Sequence, residues 1–208
     1  PSSVPFSIGE FWHIRGGFWD WCAASWPIFA WGAGLTAIVS LLTRNTPETN
    51  SDAEVIIVGG FLISLWAGIM EEICFRWLIF LGDIVMVQIG NFLFFGFLGF
   101  GIPEWLFTHI FRPIADFFTG GNLTPQLFHP AGWFVGAGLL AANASFRDGH
   151  KYQGLFGLLN SWFIGMFLFW LMFQYGLLAC IVVHFLYDLF IFAVRYIDDA
   201  VERALGWT

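Results

Sequence analysis

Apolar residues run along this chain in long blocks separated by short polar stretches, and the blocks define the predicted elements. Six runs approach the roughly 20 mostly apolar residues that a bilayer-spanning helix needs: about 18–42, 55–81, 84–102, 133–150, 155–173 and 177–197. Such runs must be helical, because lipid offers the backbone no hydrogen-bond partner. The stretch Thr43–Glu54 is polar, contains a Pro and reads as an aqueous loop. Gly82–Asp83 and Gln174–Gly176 read as tight turns, so the second and third runs, and the fifth and sixth, are expected to form antiparallel hairpins. The segment 103–130 differs: EWLFTHIFRPIADFF repeats apolar groups at helical spacing but is too short to span. It predicts an interfacial amphipathic helix between helices three and four, with a break at Gly120–Gly121. With no internal repeat, residues 1–208 read as a single membrane domain.

Composition closes off the soluble alternatives. Of 208 residues, 58% are hydrophobic and only 11% charged, against about 25% charged in an ordinary soluble domain. With 27 Phe, 12 Trp and a mean hydropathy of +0.74, a soluble fold of this size has too little interior to hide its apolar surface. A nucleic-acid binder is excluded as well, because 8 Lys and Arg face 15 Asp and Glu and Lys151 is the only lysine. The expectation is an all-α polytopic membrane protein whose first partner is the lipid bilayer. Cys22, Cys74 and Cys180 lie in apolar stretches without CxxC spacing and read as buried free thiols. The N-terminal PSSVPFSIGEFWHIRGG lacks the pattern of a cleavable signal peptide. Six spans would put both termini on one side with Arg15, Arg147, Lys151, Arg195 and Arg203, leaving Arg44 and Arg112 opposite; the positive-inside rule makes that shared side cytoplasmic. Trp12, Trp19, Trp21, Trp105, Trp133 and Trp207 fall near span ends, as an aromatic belt requires.

Ionisable groups inside spans are costly and by default mark a functional site. The second run carries Glu71, Glu72 and Arg76 in GIMEEICFRWLIF. Glu72 and Arg76 are i and i+4 and can pair, whereas Glu71 points about 100° away and lacks that partner. Carboxylates in dry surroundings are stronger bases, which suits proton abstraction; the bland alternative is a Glu–Arg clamp that only docks helices. Phe146 and His150 are also i and i+4, so a ring can brace the imidazole. His184 and Asp188 repeat the spacing in VVHFLYDLF, where the carboxyl can orient the ring. A partner helix must complete such a pair. Depth sets a condition: Glu71 lies about 24 Å from the start of its run and His184 about 10 Å from the start of its own. They meet only if the helices are tilted or staggered, or if the second begins above the membrane.

The ordered set EEICFR, FRDGH and HFLYD resembles the CPBP family of intramembrane proteins, which includes the CAAX prenyl endopeptidases and bacteriocin-processing (Abi) proteins. The likeness covers about 69–188, within a family-like core of about 55–197 interrupted by the insertion 103–130. It implies a metal-independent glutamate peptidase cleaving a membrane-associated peptide or protein. By that resemblance Glu71 activates water with His150, Glu72 and Arg76 support the helix, and His184 with Asp188 holds the oxyanion or orients the water. The family's last position is commonly Asn. Asp188 stands there, and an ionised Asp cannot donate to an oxyanion, so it is either protonated or serves only to orient His184.

Two other readings fit the same residues. A catalytically idle CPBP-like scaffold or accessory subunit would use its aromatic surface and insertion against other membrane protein subunits, lipids or pigments. In it, His13, His109 and His129 could ligate pigment, although interfacial placement explains them more simply. Alternatively Glu71, His150, His184 and Asp188 could hold zinc or iron. The peptidase reading itself needs no cofactor.

Overall fold

The computed structural model describes residues 4–43 and 53–205; the expected loop Thr43–Glu54, Arg44 and Trp207 lie wholly or mostly outside them. Among the described residues every regular element is a helix. In chain order these are α1 (Phe18–Thr43), α2 (Ala53–Glu71), a π-helical segment Glu72–Ile79, α3 (Phe80–Leu93), α4 (Ile102–Leu106), a π-helical segment Phe107–Phe111, α5 (Arg112–Phe118), α6 (Thr124–Leu127), α7 (Trp133–Gly149), α8 (Gly154–Tyr175) and α9 (Leu177–Leu205). Among the described residues four stretches are long and apolar enough to cross a membrane: Phe18–Leu42, Gly59–Leu93, Lys151–Tyr175 and Leu177–Asp198.

The turn expected at Gly82–Asp83 does not form, and the first predicted hairpin is corrected accordingly. Glu71 and Phe80, at either end of the π segment, keep helical φ and ψ. α2, the π segment and α3 therefore run on as one rod about 60 Å long. Gly and Asp are frequent turn residues, but here no Pro or left-handed residue ends the hydrogen-bond ladder. Breaking that ladder between packed apolar helices would strand backbone groups. The rod ends instead where Phe95 takes φ 63° and the chain enters a short loop. The second and third predicted runs thus form one continuous helix, and α7, the fourth predicted run, is shorter than the four stretches long enough to cross.

Two helices pack along this rod, one on each half. α9 lies antiparallel on α2, where a Cβ at Gly68 would stand 2.9 Å from the Ile181 carbonyl oxygen. α7 lies antiparallel on α3, where a Cβ at Gly138 would stand 2.8 Å from the Ile84 amide nitrogen. Small residues thus let backbones approach closely, as in other helix pairs within lipid. α8 and α9 form the second expected hairpin, reversed at Gly176, whose φ of 99° suits only glycine. α1 covers α8 and α9, with Trp31 Nε1 and Tyr187 Oη both donating to Asn160 Oδ1 at 3.1 Å.

Residues 102–118 form one short helix, and the left-handed Gly120 and Gly121 end it where the sequence expects a break. Phe107 is buried beside Trp133, while Trp105, Phe111, Ile114 and Phe117 point outward. The N-terminal segment folds over one end of the bundle. Phe6 and Phe11 join Phe80 and Phe173, Trp77 Nε1 donates to the Ile8 carbonyl at 2.6 Å, and Arg15 Nη1 donates to the Phe173 carbonyl at 3.1 Å. This places Arg15 beside the α8–α9 turn, whereas Lys151 stands at the opposite end of α8 and α9 runs away from the turn for 29 residues. Arg15 and the C-terminal end of α9 therefore lie towards opposite ends of the bundle.

Candidate active site

The polar side chains singled out from the sequence meet where the two packings on the rod change over. α9 delivers His184 and Asp188, the last turn of α7 delivers Phe146 and His150, and the π-helical turn carries Glu72 and Arg76 directly after Glu71. Stagger provides the meeting in depth: α9 starts beside the middle of the rod rather than beside its end, so His184 reaches Glu72. A π-helical turn admits an extra residue per turn, and such turns recur at functional sites. Here it lies across EICFRWLI.

The cluster has an inner and an outer layer. Inside, Glu72 and Arg76 are fully buried. Glu72 Oε1 accepts from His184 Nδ1 at 2.7 Å and lies 3.1 Å from Arg76 Nη1. None of the Arg76 nitrogens makes a hydrogen bond of good geometry, so that ion pair is held by charge. The guanidinium carbon instead stands 3.8 Å from the Phe146 ring centroid, a cation–π contact strengthened by the absence of solvent. The outer layer is open: Glu71, His150 and Asp188 keep 29%, 18% and 26% of their side-chain surface exposed. His150 Nε2 faces Glu71 Oε2 at 3.7 Å, and His184 Nε2 faces Asp188 Oδ2 at 3.7 Å. Both distances exceed a direct hydrogen bond.

Hydrogen bonding assigns the ring protons. A carbonyl only accepts, so His150 Nδ1, 2.8 Å from the Phe146 carbonyl, carries a proton. The neutral ring then presents an unprotonated Nε2 towards Glu71. His184 donates through Nδ1 to Glu72, which turns its Nε2 towards Asp188. Phe146 braces both imidazoles, at 4.7 Å from His150 and 6.1 Å from His184 between ring centroids.

Two residues at the site were not evident from the sequence. Asn143 is buried on α7, donates through Nδ2 to the Trp162 carbonyl at 3.1 Å, and leaves Oδ1 without a hydrogen bond. A Cβ at Gly165 on α8 would collide with that Oδ1 and stand 2.9 Å from Phe146 Cδ1 and 3.1 Å from Arg76 Nη2. Gly165 thus lets the α8 backbone press against the Arg76–Phe146 stack. A lone amide in an apolar span was the available signal for Asn143; Gly165 left none.

Among the described residues no three His, Cys, Asp or Glu side chains form a metal-holding group, so the side chains suggested for zinc or iron are not arranged as a ligand set. His109 stacks on Trp105 and bonds its carbonyl, and His129 packs on Phe6; neither joins the site. The three cysteines are free, with only Cys180 fully buried. Comparisons with protein-family models, curated proteins and solved structures find no match for this chain.

Proposed function

We propose that this chain is an intramembrane endopeptidase of the CPBP type in which Glu71 activates water to cleave a membrane-associated peptide. The observation that carries the reading is the division of labour between adjacent glutamates. Glu72 is sealed and committed to Arg76 and His184, whereas Glu71 is partly exposed and its Oε2, which makes no hydrogen bond, faces His150 Nε2 at 3.7 Å. Water bridging Glu71 Oε2 and His150 Nε2 would be held by both. As its oxygen bonds to the scissile carbonyl carbon, Glu71 takes its proton. The tetrahedral oxyanion collapses, the C–N bond breaks, and Glu71 returns the proton to the leaving amine. His184 Nε2 can donate to the oxyanion only as an imidazolium, because Nδ1 already donates to Glu72; the flanking carboxylates Glu72 and Asp188 balance that charge. Asp188 then orients His184 and need not donate.

The proposed crossing pattern treats the rod as one passage. α1, the α2–α3 rod, α7, α8 and α9 make five passages, and residues 102–118 rest at the interface. Arg147, Lys151 and Arg195 lie towards the end away from Arg15 and Arg112, and the positive-inside rule favours a cytoplasmic C-terminus and mouth at His150, with the N-terminal segment on the far side.

Membrane fractions from cells expressing the wild type or Glu71→Gln test the enzyme directly. New peptide termini should appear with the wild type only. Identical termini in both, with partners lost when the 103–130 insertion is altered, would favour the idle scaffold.

A further inference from the structure

Away from the glutamates, on the opposite face of α8, a cavity of about 380 Å³ opens between α1, α8 and the insertion. We infer that this cavity is a lipid site that holds one acyl chain of a bilayer phospholipid. Its size falls among small-molecule pockets, which run from about 300 to 1,000 Å³. Pro27 and Trp31 of α1, Phe118 of α5, and Trp162, Phe167 and Trp170 of α8 supply most of the apolar wall. Thr119 and Asn122, beside the Gly120–Gly121 turn, make one end polar. The lips belong to the outer surface of the bundle: Trp31 and Phe118 are both exposed, and α1 and α8 are two of the helices fit to cross a bilayer.

Surroundings select the occupant. Water has no place in an apolar hollow that opens onto hydrocarbon. An empty hollow forfeits dispersion contacts along every wall. A partner's transmembrane helix, 10 Å across and 30 Å long, occupies roughly 2,400 Å³ and cannot enter. A single flexible hydrocarbon chain fits the volume, the open side and the amphipathic end, where the Asn122 amide, which spends one N–H on the Thr119 carbonyl, can donate the other to a glycerol ester. The insertion 103–130 builds one wall, which makes the site a feature of this chain's own excursion. The inference stands independently of Glu71 and of any peptidase activity.

The full chain reconstituted in phosphatidylcholine vesicles, then transferred to mild detergent for native mass spectrometry, should retain one phospholipid per chain. Ala24→Trp and the milder Ala115→Leu both fill the cavity and should lower retention at least tenfold. Ala37→Trp, on the exposed side of α1, should not change it. In unaltered protein, phosphatidylcholine carrying a photoreactive acyl chain should label peptides containing 115–123 and 162–170. That measurement holds even if the filling variants fold poorly. A wild type without retained lipid, retention insensitive to both filling variants, labelling spread evenly over the outer surface, or a retained pigment mass in place of lipid would each overturn the inference.

Discussion

Replacing Glu72 by Gln tests the inner layer, because it removes one charge and almost no volume. Arg76 is fully buried, and among the described residues the carboxylate paired with it is that of Glu72, whose Oε1 lies 3.1 Å away. Leaving a buried charge unpaired costs about 3–5 kcal/mol. The Phe146 ring, 3.8 Å from the guanidinium carbon, still stabilises the cation, and Gln still offers His184 an acceptor, so the lower figure of about 3 kcal/mol applies. For a chain of this size, 1 kcal/mol shifts the melting temperature by about 2–4 °C, so thermal unfolding in detergent should fall by about 6–12 °C. Adding Arg76→Met removes the orphaned cation and should recover most of that loss, since replacing both members of a buried pair by apolar groups is often neutral. An unchanged melting temperature in Glu72→Gln, or a double variant less stable than the single, would refute the claim that Arg76 depends on Glu72.

Three further substitutions test the fold. Gly82 has open space where a Cβ would stand, so in a continuous helix Gly82→Ala should stabilise by about 0.5–1 kcal/mol while Asp83→Pro costs about 3 kcal/mol; tolerance of the proline in thermal unfolding would restore the turn. Gly165→Val drives a branched side chain into Asn143, Phe146 and Arg76 and should destabilise by about 1–3 kcal/mol; an unchanged melting temperature would show that α8 does not press on the stack. Tags at the two ends should be accessible from opposite faces of sealed vesicles, the C-terminal one from the cytoplasmic face, and same-side access would remove one of the five proposed crossings.

Hydropathy revealed the helices because lipid leaves little choice: an apolar run of sufficient length must satisfy its own backbone. It misjudged Gly82–Asp83 because the same residues end helices in water and are tolerated within them when neighbouring helices pack alongside. The site was readable through spacing, since Glu72–Arg76, Phe146–His150 and His184–Asp188 all recur at i, i+4 and each was incomplete alone. The spacing pointed to the Glu72–Arg76 pair, whereas Glu71, expected in dry surroundings, keeps 29% of its side chain exposed. The π-helical turn, the Glu72–His184 bond and the contact at Gly165 depend on how α8 and α9 lie against the rod, and no local pattern encodes them.

The central claim is that Glu71 is the base and Glu72 its support. Its most direct test is the rate of product formation by purified Glu71→Gln against wild type, on a substrate recovered from the membrane comparison, with melting temperature recorded on the same samples. The account predicts a fall of about 10²–10⁴-fold in turnover with an unchanged melting temperature. Turnover within a factor of two of wild type, at unchanged stability, would contradict it.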